Sequence, residues 1–285
     1  MNARCPIGVF DSGVGGLSVL REIRRELPAE DLIYVADSGH APYGDKPMAA
    51  IEARALAITE FLIGAGAKTV VVACNTATGA AARVLRTRYP VPIVAMEPAV
   101  KPAVERTRSG VVGVLATRQT LASRNFSVLL ERLSGAVEIL QQPCPGLVER
   151  VEAGDLDGEG TRALLGDYLR PLIAGGADTL VLGCTHYPHL RPLIGELAGP
   201  GVAVLDSGAA VARQVRRRLE GANLLAPSDR PGRERFLTSG CPTVGQELLS
   251  RLWPSAARLE PLPPPFNGPV RSAAGARPPE QASCG

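Results

Sequence analysis

A chain of 285 residues, 45% hydrophobic and 21% charged, reads as a soluble globular protein of one large domain or two ordinary ones. A formal net charge of +3 is too small to argue for a nucleic-acid partner, and no apolar run is long enough to span a membrane. Six scattered cysteines form neither a C-x-x-C pair nor a zinc framework, and MNARCPIGVF holds no secretory leader, so cytoplasmic placement with reduced thiols is expected.

Strand-like apolar runs lie at 7–10, 32–36, 69–73, 93–95, 111–115, 137–140, 179–182 and 202–205, with helical spacing between them, for example at 49–64 and 161–174. This alternation predicts an α/β fold with mostly parallel sheets flanked by helices. The first strand ends in Asp11-Ser12-Gly13-Val14-Gly15-Gly16, whose glycines permit a tight strand-to-helix turn. As a phosphate loop it fits poorly, since its carboxylate would repel phosphate. Asp11 and Ser12 suit a cationic group such as an ammonium, and Asp11 reads equally well as a helix cap. The next strand leads into Asp37-Ser38-Gly39-His40-Ala41-Pro42-Tyr43-Gly44, a loop whose free backbone donors can hold a carboxylate and which is otherwise an ordinary turn.

One unit occurs twice. GAKTVVVACNT (66–76) and GADTLVLGCTH (176–186) align at an offset of 110 residues, placing Cys74 opposite Cys184. A weaker echo pairs IGVFDSGVGGLS (7–18) with VGVLATRQTLAS (112–123) at an offset of 105, so that Ser12 matches Thr117. The duplication predicts two related α/β domains, 1–97 and 98–206, with the ligand in the cleft between them, and residues 207–261 are expected to return to the first. The basic run Arg213 to Arg218 shares its segment with Val211, Val215 and Leu219 at helical spacing, the pattern of a solvated helix face. Residues 262–285, rich in Pro, Gly and Ala, are expected to form a disordered tail.

Each duplicated cysteine ends a buried strand, where open α/β sheets place ligands, and precedes an expected helix start that would favour thiolate. His186, one of three histidines, adjoins Cys184. A metal site would need a close ligand pair on one element, which is missing, so no metal is expected. Two thiols on opposite faces of a planar carbanion, roughly 7 Å apart, could instead move protons across it and invert a stereocentre.

FDSGVGGLSVL, the PYG loop, ACNTAT and LGCTHYPHL resemble, in that order and over residues 7 to 260, the cofactor-independent glutamate racemases of the aspartate/glutamate racemase superfamily. The resemblance implies an isomerase interconverting L- and D-glutamate without pyridoxal phosphate or metal, supplying D-glutamate for peptidoglycan. It implies no nucleic acid and no membrane, and leaves a homodimer open. By position, Cys74 resembles the base for the D enantiomer and Cys184 the base for the L enantiomer, assisted by Asp11 and His186 respectively. Glu152 resembles the family's supporting acid. Ser12, Asn75, Thr76, Thr117 and Thr185 resemble contacts to the ammonium and carboxylates, with Thr120 a further threonine of the same stretch. Tyr43 and Gly44 resemble backbone donors to the side-chain carboxylate. Ser38 and His40 depart from the Thr and Arg common in the family, and Cys241 stands where an acid is common. Action on aspartate or a hydantoin, or ligand binding without catalysis, are the competing readings.

Overall fold

The structure, a computed structural model, describes residues 2–133, 135, 137–253 and 256–268. Its strands are β1 (Ile7–Asp11), β2 (Leu32–Ala36), β3 (Thr69–Val72), β4 (Ile93–Ala95), β5 (Val111–Ala116), β6 (Glu138–Pro143), β7 (Thr179–Leu182), β8 (Ala203–Leu205), β9 (Glu234–Thr238) and β10 (Leu259–Pro261). The helices of the first half are α1 (Leu17–Glu26), α2 (Met48–Gly64), α3 (Asn75–Arg88) and α4 (Val100–Arg106). Then follow α5 (Arg118–Leu121), α6 (Arg124–Glu131), α7 (Leu147–Glu152), α8 (Glu159–Ala174), α9 (Arg191–Ala198), α10 (Gly208–Gly221) and α11 (Pro242–Leu252). None of the described helices is long and apolar enough to cross a membrane.

Two parallel sheets result. One has the order β10-β9-β2-β1-β3-β4 and the other β6-β5-β7-β8. Every residue of β1, β3 and β7 is buried, as strands covered by helices on both faces require. The duplication seen in the sequence reappears as register. Ile7 pairs with Thr69 and Gly8 with Val70 in the first sheet, while Val112 pairs with Thr179 and Gly113 with Leu180 in the second. Each sheet reverses its strand order at this pair, so both switch points carry a cysteine just past the second strand.

β9 and β10 extend the first sheet beyond β2, and neither was anticipated as a strand. α10 buries Val211, Val215 and Leu219, lies against α1, and turns Arg213, Arg217 and Arg218 to solvent, while Arg216 pairs with Glu26. The expected disordered tail needs correction at its start. Leu262 is fully buried and donates its amide to the Thr238 carbonyl, and Phe266 packs on Phe61. Residues 269–285, including Cys284, lie outside the described residues.

Candidate active site

From the first sheet, β1 delivers Asp11 fully buried at its carboxyl end. One carboxylate oxygen accepts from the Gly16 amide at 2.6 Å and the Thr185 hydroxyl at 3.3 Å; the other accepts from the Ser12 hydroxyl. Asp11 is not the cap of α1, whose N-cap is Gly16 without a side-chain cap bond, and the bond from Thr185 ties Asp11 to the opposite half. The glycines have a second use beyond turning. A Cβ at Gly13 would overlap the Glu152 carboxylate, and one at Gly15 would overlap the His186 ring. Side chains from the second half therefore press directly on this backbone.

Cys74 caps α3, and the Ala77 amide donates to its sulfur at 3.4 Å. The thiol donates weakly to the Ser12 hydroxyl at 3.9 Å. Beside it, Asn75 is buried with neither amide atom partnered by the described residues. Leaving two such groups unsatisfied costs about 1–3 kcal/mol each, so the pair is suited to a polar ligand. The Thr76 hydroxyl lies 2.9 Å from that of Thr117 and 3.2 Å from that of Thr120, joining the halves through three hydroxyls.

From the second sheet, Cys184 follows β7 but does not open an α-helix. A 3-10 turn over Tyr187–Leu190 intervenes before α9, with Pro188 at its start, so the expected helix start is absent there. The neighbouring imidazole takes over the role expected of the helix. His186 Nδ1 lies 3.7 Å from the Cys184 sulfur, and Nε2 lies 2.7 Å from Glu152 Oε1. Glu152, at the end of α7, also accepts from the Val14 amide at 2.7 Å and from the Ser38 hydroxyl at 3.3 Å. Ser18 donates across the cleft to the Thr185 carbonyl at 2.9 Å.

Both sulfurs are buried and outside any disulfide, and Cys184 adds to the charge around Cys74. Burial pushes the Cys74 thiol well above its ordinary range, and the neighbouring Asp11 adds to the shift. The amide of Ala77 opposes both without prevailing. The expectation that a helix start would leave Cys74 as thiolate is thus overturned. Burial also raises Asp11, against the pull of His186. For His186 burial works toward the neutral ring, but hydrogen bonds to Cys184 and Glu152 outweigh it and lift the imidazole well above 6.5.

The sequence profile described as Asp/Glu/Hydantoin racemase matches residues 7–215. This chain belongs to that racemase family. Among curated relatives, glutamate racemase from Methylococcus capsulatus is 56% identical over 261 residues, covering 92% of this chain and 96% of the relative. A glutamate racemase isoform from Bacillus anthracis superposes with a TM-score of 0.85 at 30% identity, covering 93% of this chain and 99% of that one. Escherichia coli glutamate racemase in complex with L-glutamate and activator UDP-MurNAc-ala gives 0.79 at 35% identity, over 90% and 98%.

Within this racemase fold, hydrogen bonds link Asp11 with Ser12 and Thr185, Cys74 with Ser12, Thr76 with Thr117, and His186 with Cys184 and Glu152, while Asn75 lies between Cys74 and Thr76 in the chain. Gly44 lies against Thr117, and the buried Tyr43 donates its hydroxyl to Asp37 at 2.5 Å. Sequence reasoning gave no site role to Ser38, which reaches Glu152, or to Asp37, which receives Tyr43, His40 and Arg54. One signal was present: Asp-Ser-Gly begins at the last residue of β1 and just after β2, adjacent parallel strands in which Asp11 pairs with Ala36. Cys241 is exposed, and it opens α11.

Proposed function

We propose that this chain is a glutamate racemase that inverts Cα by proton transfer between two thiols, without pyridoxal phosphate or metal, and supplies D-glutamate for peptidoglycan. The observation that carries the reading is the pairing of equivalent strand ends with unlike partners: Cys74 buried beside Asp11, Cys184 3.7 Å from the raised imidazole of His186. Glutamate as substrate is supported by the 56% identical Methylococcus relative, and by L-glutamate in the Escherichia coli neighbour.

In the L-to-D direction the Cys184 thiolate takes the Cα proton, forming an S–H bond. The electron pair of the broken C–H bond passes into the α-carboxylate as an enediolate. Cys74 then gives its proton to the opposite face of Cα and becomes the thiolate. The reverse reaction exchanges the two roles. Asp11 is placed to hold the ammonium and the proton of Cys74, and His186, steadied by Glu152, faces the charge on Cys184. The α-proton is a very weak acid, so donors must already point at the carboxylate as charge develops there. Asn75 with its unpartnered amide, and the hydroxyls of Ser12, Thr76, Thr117 and Thr185, are the donors at hand. The backbone of Tyr43 and Gly44 is assigned to the side-chain carboxylate.

The test is solvent deuterium incorporation into each enantiomer by the wild type, Cys74→Ser and Cys184→Ser. Each variant is expected to lose net inversion, by about 10³-fold or more. Cys184→Ser should retain exchange at the α-position of D-glutamate alone, and Cys74→Ser that of L-glutamate alone. Full racemisation by either variant would overturn the mechanism, and a higher rate on aspartate than on glutamate would overturn the substrate.

A further inference from the structure

α2 carries Ile51, Ala55, Ile58 and Leu62 on its buried face, and a charged residue, Arg54, sits among them only 4% exposed. Its guanidinium is used almost completely. Nε and Nη2 donate to the two oxygens of Asp37 at 2.9 and 2.6 Å, while Nη1 and Nη2 donate to the carbonyls of Gly268 and Phe266, both at 2.8 Å. Asp37 in turn accepts from the Tyr43 hydroxyl at 2.5 Å and faces His40 Nδ1 at 3.1 Å. A continuous chain of charge-assisted bonds thus runs from the C-terminal segment, through Arg54 and Asp37, to the loop that bears Tyr43 and Gly44.

The segment itself is anchored at both ends. The Leu262 amide bonds to the Thr238 carbonyl at 2.7 Å with the side chain fully buried, and the Phe266 ring packs on Phe61 of α2 with centroids 5.5 Å apart. Without the two carbonyls, the outer edge of a buried guanidinium would lack acceptors, and Arg54 could reach them only by turning from Asp37.

We propose that residues 262–268 are a strap that fixes Arg54 as a positioning residue for the Tyr43–Gly44 loop, and so set how tightly the substrate's distal carboxylate is held. The proposal rests on the assignment of that loop to the side-chain carboxylate. It accounts for a charged residue on an apolar helix face, and for an ordered stretch opening a proline-rich segment.

The experiment compares full-length wild type, Phe266→Ala and Arg54→Lys, with Leu219→Ala as a control that removes a buried side chain from α10, away from the strap. Racemisation gives kcat and KM for each enantiomer, and calorimetric titration gives Kd for L-glutamate. Phe266→Ala and Arg54→Lys are expected to raise KM and Kd by about tenfold, the scale of one lost charge-assisted bond, with kcat within about twofold. Leu219→Ala should leave both constants unchanged while lowering the melting temperature. Unchanged KM and Kd in the two strap variants, or an equal rise in Leu219→Ala, would overturn the strap. Absence of racemisation by wild type would instead overturn the function reading, leaving Kd to report on the strap.

Discussion

The two thiols occupy equivalent places and unlike surroundings. Both end the second strand of a switch-point pair, in matching register. Around Cys74 the neighbours are apolar residues of β3 and α3 together with the Asp11 carboxyl, and the sulfur is pushed toward the neutral thiol. Around Cys184 the His186 imidazole, raised by its partners, stands 3.7 Å away, held from behind by Glu152. On the proposed chemistry, strand order brings the two sulfurs to equivalent places, and the side chains beside Cys74 favour its keeping the proton.

The largest effect should come from stripping each sulfur of its partner. His186→Asn and Asp11→Asn are each expected to lower kcat/KM by about 10²–10⁴-fold, the usual range for a positioned proton-transfer group. L- and D-glutamate have equal free energies in water, so kcat/KM must fall equally in both directions. The asymmetry appears in α-proton exchange, where His186→Asn should slow exchange into L-glutamate more than Asp11→Asn does. Equal suppression of both exchanges by both variants would erase the distinction between the two sides.

A smaller loss is expected from Gly15→Ala. The new methyl group overlaps the His186 ring and must push it from Cys184, at a cost of about 1–3 kcal/mol in thermal or denaturant unfolding. Activity should fall with it, whereas an alanine at the exposed Gly195, with open space around its Cβ, should leave the site untouched.

The mildest perturbation is one of pH. His186 is raised in the folded state, so its contribution to stability is fully present below 6.5 and is lost as pH rises through its folded pKa. On the proposed chemistry the same group sets the alkaline limb of kcat/KM, which reports the free protein, and that limb is expected above 6.5. Glu152→Gln removes one of the two hydrogen-bonded groups that raise the ring, and should move that limb toward lower pH. A limb that stays in place would assign it to another group.

Much of this arrangement was legible because it is written in short, repeated stretches. The buried strands β1, β3, β5 and β7 are apolar runs, and the Cys74 and Cys184 units could be aligned without coordinates. β9 escaped notice because it opens with Glu234 and Arg235, whose charges are met by Arg24 and Glu260 from distant parts of the chain. β10 is a three-residue edge strand ending in Pro261, too short to show a period. The tail reading failed at Leu262 and Phe266, since the average composition of a proline-rich stretch conceals two anchoring side chains. The charge state of Cys74 was misjudged for a different reason. A helix start is a local feature, while the burial that overrides it comes from elements remote in sequence.

The sealed setting of Cys74 has a kinetic consequence. On the proposed chemistry, each conversion of L to D leaves the empty protein with its proton on the other sulfur, and thus with negative charge lodged in the apolar enclosure beside Asp11. That form is the strained isomer of the catalyst. A cycle starting from L begins in the relaxed form and must restore it after release, whereas a cycle starting from D draws on the scarce one.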